Sequence, residues 1–203
     1  MAVRGTIDAF KSSVVSDFAR PNLFQVDLAF PTQVISNATG LSDLGKFTVR
    51  AANLPSAQMG IIEVPFRGRV LKIAGDRTFE PWTVTIMNDS KFALRNAFET
   101  WVEKIQAANE NITQTTGLGD EQDATGYFCD MFVHQLSRDA SKGEKANILR
   151  SYKFTDVFPS NVSAIDLDFG SNDAVEEFTV ELQVHWWEAY VGPSAKSGGE
   201  DIS

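Results

Sequence analysis

Residues 176–187 read EEFTVELQVHWW, and the reading of this stretch decides the fold class. Phe178, Val180, Leu182, Val184 and Trp186 alternate with Glu177, Thr179, Glu181, Gln183 and His185. Side chains two apart on a strand share a face. A strand over Glu177–Trp187 is therefore expected, apolar toward a core and acidic on the opposite face. The same period recurs upstream. Phe24, Val26, Leu28 and Phe30 alternate with Gln25, Asp27 and Ala29 until Pro31, and TVTIM spans 83–87. Further strands are expected at Phe47–Val49, Ile61–Ile73, Tyr127–Leu136, Leu149–Val157 and Ala164–Phe169, with breaks at Leu54-Pro55 and a turn at Arg67-Gly68-Arg69.

The period changes once for a long stretch. Leu94, Phe98, Trp101, Val102 and Ile105 follow the short polar side chains of Asn88, Asp89 and Ser90, which can accept free N–H groups at a helix start. One helix is predicted over about 91–107. Ile7, Phe10, Val14 and Phe18 suggest a shorter helix in an N-terminal arm, residues 1–20, ending before Arg20-Pro21. Residues 109–125 (NENITQTTGLGDEQDAT) read as a polar, flexible insertion, and residues 192–203 as a mobile tail. The expected architecture is mainly β: an antiparallel sandwich or barrel over 21–191 with one flanking helix.

Length and composition suit that architecture. The chain has 203 residues, 43% hydrophobic and 22% charged, with 15 Phe, and a chain of this length buries roughly 70% of its unfolded surface. Cys129 is the single cysteine, so neither an internal disulfide nor a Cys-based zinc site is possible. No apolar run approaches about 18 residues, so neither a signal peptide nor a membrane helix is expected. The net charge of −9 is unevenly spread. Residues 1–105 hold 12 basic and 10 acidic residues, whereas residues 106–203 hold 6 and 17. From Phe154 to Ala195 there are eight carboxylates and no Lys or Arg, which opposes phosphate binding by this half.

No catalytic or cofactor constellation emerges. His134 and His185 are the only histidines, and both fall in strand patterns. Cys129 beside a histidine reads as a buried thiol before it reads as a nucleophilic dyad. Gly117-Leu118-Gly119 lacks the strand and helix that a phosphate loop needs. Asp166 and Asp168 on one strand face are explained by solvent-facing alternation. Trp82, Trp101, Trp186 and Trp187 could suggest a carbohydrate-binding sandwich, but three of them fit apolar core patterns. The residues alone describe a β-rich domain without an enzyme site, metal or cofactor.

Several words of the sequence go further. Residues 17–26 read DFARPNLFQV, 74–79 AGDRTF, 82–89 WTVTIMND, 158–173 FPSNVSAIDLDFGSND and 176–182 EEFTVEL. In this order and spacing the chain resembles the tail tube proteins of contractile-tailed, T-even-type phages, from about Asp17 to Glu188. It departs from them in a longer arm before Asp17, a longer segment between Pro31 and Phe47, the 109–125 insertion and an extended tail. The resemblance implies a non-enzymatic virion subunit, assembled in the host cytoplasm. It implies hexameric rings stacked into a tube inside a contractile sheath, with sheath, baseplate and tail-terminator proteins as partners. DNA would transit the lumen without specific binding, and nothing would insert in a membrane. A type VI secretion or phage-like injection tube is the related alternative.

Two sets of residues then become candidates. Asp166, Asp168, Glu177 and Glu181, opposite the apolar strand faces, are expected to line the lumen; the alternative is that they face the sheath, since parity fixes a face and not its direction. Lys or Arg there would hold DNA by counterion release, whereas carboxylates let it slide. Phe66, Arg67, Arg69 and Lys72, in the segment IIEVPFRGRVLKI at 61–73, are expected to stack one ring on the next. The alternative is that Ile61, Ile62, Val64, Phe66, Val70 and Leu71 fill the subunit's own core while the arginines are solvated.

Overall fold

A computed structural model describes residues 6–13, 18–115, 117–119, 126–138 and 148–190. The expected tail from 192, part of the 109–125 insertion and residues 14–17 of the arm lie outside these residues. The described chain runs α1 (Ile7–Ser13), β1 (Phe24–Asp27), α2 (Ala38–Thr48), β2 (Val49–Ala52), β3 (Gln58–Phe66), β4 (Arg69–Thr78), β5 (Trp82–Met87), α3 (Ala93–Ile105), β6 (Cys129–Leu136), β7 (Ile148–Val162), β8 (Glu177–Gln183) and β9 (Trp186–Tyr190).

Every strand pairing is antiparallel, as alternation predicts. β1, β6, the first part of β7 and β9 form one sheet; the end of β7, β8, β5 and β2 form the second. β7 belongs to both. It switches sheets at a bulge, where Met131 pairs with Phe154 but Cys129 with Val157. Asp156 sits there at φ 55°, its N–H donating to Asp130 Oδ1 at 3.2 Å. An extra residue in a strand bends it and resets which side chains face inward. Phe154 and Val157 are accordingly both buried, though three residues apart.

Between the sheets Trp82 of β5 stacks on Phe154 of β7, with ring centroids 4.1 Å apart. Val84, Ile86, Phe178, Val180 and Leu182 complete this layer, none more than 2% exposed. α3 closes the core with Leu94, Ala97, Phe98 and Trp101, spaced to share one helix face. Phe30 meets Phe98 and Trp101 edge-on. The indole N–H groups of Trp82 and Trp101 donate to the carbonyls of Asn53 and Tyr127. α3 starts at Ala93, after Phe92 at φ 54°, and Asp89 accepts the Ala93 N–H at 2.8 Å. The result is an open sandwich, with no closed barrel among the described residues.

Four expectations are corrected. Phe47 and Thr48 end helix α2 rather than start a strand, and Phe47 is 81% exposed. α2 is a second substantial helix. Two glycines mask it, each costing about 1 kcal/mol against alanine in a helix. Packing is tight at Gly45, where a Cβ would lie 3.0 Å from Leu28 Cδ1 and push it aside. Ala164–Phe169 is a loop, not a strand. Glu177–Trp187 is not one strand: β8 ends at Gln183, the chain passes His185 outside any strand, and β9 pairs with β7 in the other sheet. Trp186 is therefore exposed, and Trp187 packs against the core instead.

Candidate functional site

The polar groups of the first sheet contain one arrangement that superficially suits catalysis. Ser151 Oγ lies 2.7 Å from His134 Nδ1, and His134 Nε2 lies 3.3 Å from Asp27 Oδ2. Gln25 Nε2 donates to the other Asp27 oxygen at 2.7 Å. The chain of contacts crosses β7, β6 and β1 directly, since His134 pairs with both Ser151 and Gln25. Ser151 is only 1% exposed, so no substrate reaches its hydroxyl. These bonds satisfy buried polar groups, as a cross-strand ladder does. Burial of the Asp27 carboxyl acts to raise its pKa. Hydrogen bonds from His134 and Gln25, and the charges of His134 and Lys46, outweigh that and hold it below the ordinary value. Cys129 lies apart from His134 in this network: its thiol donates to the Ala29 carbonyl at 3.2 Å. Burial, with the charge of Asp130, pushes the thiol pKa well up, opposite to what a nucleophile needs. No cluster that could hold a metal occurs among the described residues.

The surfaces are more informative. β3 and β4 form a two-stranded ribbon that makes its own sheet, separate from the sandwich. Along it every residue is exposed except Gly75, which is half-buried. The alternative in which its apolar residues fill the subunit's own core is thereby excluded. Its turn is the two-residue loop Arg67-Gly68, at φ 44° and 83°, and positive φ at both positions suits the right-handed twist of a hairpin. Register separates the two faces. Ile62 pairs with Ile73, Val64 with Leu71 and Phe66 with Arg69, giving one almost wholly apolar face. Ile61 with Ala74, Glu63 with Lys72 and Pro65 with Val70 make the other. Arg67 lies over the Phe66 ring at 5.4 Å, whereas Lys72 is held on the mixed face by Glu63 at 3.8 Å.

At the ribbon's base the Arg77 guanidinium lies 4.5 Å from the Trp187 ring and 4.8 Å from the Phe79 ring. Trp187 belongs to β9, so this cation–π contact ties the ribbon to the sandwich. Glu80 accepts hydrogen bonds from Ser56 Oγ at 2.7 Å and from Gln58 Nε2.

Glu177 and Glu181 lie on the outer face of β8, opposite buried Phe178, Val180 and Leu182, as their parity predicts. Their neighbours across the sheet are Met87, Thr83 and Asn161. Arg50, at the start of β2, forms an ion pair with Glu177, a partner that strand parity had no means to reveal.

Asp166 and Asp168 belong instead to the loop between β7 and β8. Its ends are pinned. Arg95 donates to the Ser163 carbonyl at 3.1 Å, Ser163 and Thr179 exchange bonds, and Asn88 binds both the side chain and the carbonyl of Glu176. Between them Leu167 is 84% and Phe169 108% exposed. The loop borders a cavity of about 520 Å³ over the outer face of β5 and β8.

A family model described as phage tail tube protein matches residues 19–190. The chain is 33% identical over 193 residues to tail tube protein gp19 of Enterobacteria phage T4, covering 93% of this chain and all of that one. It is 29% identical over 164 residues to the tail tube protein of Serratia phage KSP90, covering 81% and 84%. Among solved structures, the fold is shared with a chain of the anti-feeding prophage baseplate, described as six-fold symmetrised. The TM-score is 0.58 at 15% identity, over 86% of this chain and 96% of that one. It is also shared with a chain of the sheath–tube complex of an extracellular contractile injection system, with a TM-score of 0.52 at 13% identity over 92% and 99%.

Proposed function

The chain belongs to the phage tail tube protein family, and from that premise we propose that its copies close into six-membered rings that stack into a DNA conduit inside a contractile sheath. The carrying observation is the ribbon: large apolar side chains on a two-stranded sheet that none of the described residues covers. Monomers rarely leave such patches in water. The second sheet supplies the other half of the reading. Its outer strands, β2 and the end of β7, each have an edge that no described strand pairs, and four strands from each of six copies would make a barrel of about 24, wide enough for an aqueous channel. Ring closure also protects edges that would otherwise invite aggregation.

Glu177 and Glu181 then face the lumen, where carboxylates repel the DNA backbone and keep it mobile. Phe66, Arg67 and Arg69 stack ring on ring, with Lys72 set on the ribbon's other face. The subunit performs no catalysis, and it assembles in the host cytoplasm. Sheath, baseplate and terminator proteins are its partners, in keeping with the assemblies in which its structural neighbours occur. The phage setting is favoured over a secretion tube by the identity that spans the whole T4 relative. A carbohydrate platform is disfavoured because Trp82 and Trp101 are buried. Electron microscopy of the purified protein, with sedimentation, tests the proposal: six-fold rings or tubes are expected, and a monomer throughout the micromolar range in the presence of a baseplate initiator would refute it.

A further inference from the structure

We infer that the apolar face of the β3–β4 ribbon docks on the 163–176 loop of a second copy, so that this loop is the receiving surface for the next ring. The inference rests on the stacking role proposed for the ribbon and names its counterpart.

The two surfaces are complementary in both chemistry and charge. Between Gln58 and Thr78 the ribbon holds four basic residues and two acidic ones, a balance of +2, so the rest of the chain carries −11 of the total of −9. The loop holds Asp166, Asp168, Asp173 and Glu176, and no Lys or Arg. Each surface also presents apolar side chains: Ile62, Val64, Phe66, Leu71 and Ile73 on one ribbon face, and Leu167, Phe169 and Val175 on the loop. Both sets are exposed within their own chain, so neither covers the other there. An apolar face tipped by Arg67 and Arg69 meets apolar side chains interleaved with carboxylates. Burial then supplies the attraction, and charge sets register and excludes ribbon-to-ribbon pairing.

The loop is also built to receive. Its ends are pinned by Arg95, Thr179 and Asn88, and Asp168 folds its middle by accepting the Gly170 N–H at 3.0 Å. Little ordering cost therefore remains for binding. Because ribbon and loop are different patches, their contact is head-to-tail, and a head-to-tail contact that does not close on itself repeats as a filament. Tube growth requires that kind of contact. Asp166 and Asp168 are thereby assigned to the ring junction and not to the lumen wall.

Charge-swapped variants test this. Arg67→Glu with Arg69→Glu, and separately Asp166→Lys with Asp168→Lys, are expected to leave single rings intact while reducing tube growth at least tenfold. All four changes together should restore growth. In a second measurement, Phe66→Cys with Phe169→Cys should give a disulfide-linked ladder on oxidation of tubes, with neither single change doing so. These variants are made in a Cys129→Ser background, because that thiol is only half-buried. Normal growth of the Asp166/Asp168 variant while the Arg67/Arg69 variant fails would overturn the loop's role and leave the stacking reading standing. Normal growth of the Arg67/Arg69 variant would remove the stacking reading itself. Rings that stay single when all four charges are swapped, or tubes of the cysteine pair without a ladder, would overturn the pairing.

Discussion

The β3–β4 ribbon and the β5–β8 pair are both antiparallel, both marked by alternation, and both rich in large apolar residues, yet their fates differ. In β5 and β8 the inward residues Trp82, Val84, Ile86, Phe178, Val180 and Leu182 are at most 2% exposed, because the opposite sheet covers them. In the ribbon, Phe66 is 66% exposed on an equally apolar face. An apolar strand face thus shows that something must cover it, without saying whether the cover comes from the same chain. Fully burying one such side chain is worth about 1.5–3 kcal/mol. That stabilises the sandwich during folding, whereas in the ribbon the same gain becomes available only on assembly.

The sharpest way to break this comparison is a matched pair of truncations. Trp82→Ala removes a ring stacked in the core and should cost about 3–5 kcal/mol, read by urea denaturation of the unassembled subunit. Phe66→Ala should change that stability by less than about 0.5 kcal/mol while impairing tube growth. If Phe66→Ala destabilised the lone subunit as Trp82→Ala does, the contrast would be wrong.

The next effect in size concerns the helix that supports β1. Gly45→Ala would improve helix propensity by about 1 kcal/mol. The added methyl meets Leu28 at 3.0 Å, and overpacking costs about 1–3 kcal/mol. Net destabilisation is expected in thermal melts; a raised melting temperature would mean that α2 can back away from β1.

Smaller again is the joint between the two regions. Arg77→Ala should cost the subunit about 0.5–1 kcal/mol, the value of an exposed cation–π contact. It should also raise hydrogen exchange along β3 and β4 but not β5 and β8. Equal change in both would show that the ribbon is not independently tethered.

The smallest effect is a pH dependence confined to the sandwich. Asp27 has a lowered pKa in the folded chain. Its contribution is therefore fully present above the unfolded carboxyl value, about 3.9, and is lost as pH falls through the lower folded value. Denaturation midpoints of the wild type should decline over that window more steeply than those of Asp27→Asn. Parallel curves would assign the acid sensitivity to other carboxylates.

How far the sequence could be read follows from the range of the forces involved. Alternation at 83–87 and 177–183, the helical spacing of Leu94, Phe98 and Trp101, and the Arg67-Gly68 turn were legible because period and backbone preference act over a few residues. The acidic parity of Glu177 and Glu181 was legible for the same reason. α2 was not, since its glycines oppose helix locally and Leu28 meets Gly45 only in the folded chain. The loop of Asp166 and Asp168 looked like a strand because alternation alone does not supply a hydrogen-bonded neighbour. Arg50 is 127 residues from Glu177, and no spacing rule connects them. The single sequence thus determined which segments prefer to extend or coil and which faces are apolar. Tertiary structure decided the rest: where β7 bends from one sheet to the other, where the chain leaves β8 to form β9, and that the ribbon stands uncovered. Those outcomes depend on which distant strands compete for the same edge, and that competition is resolved only when the whole core packs.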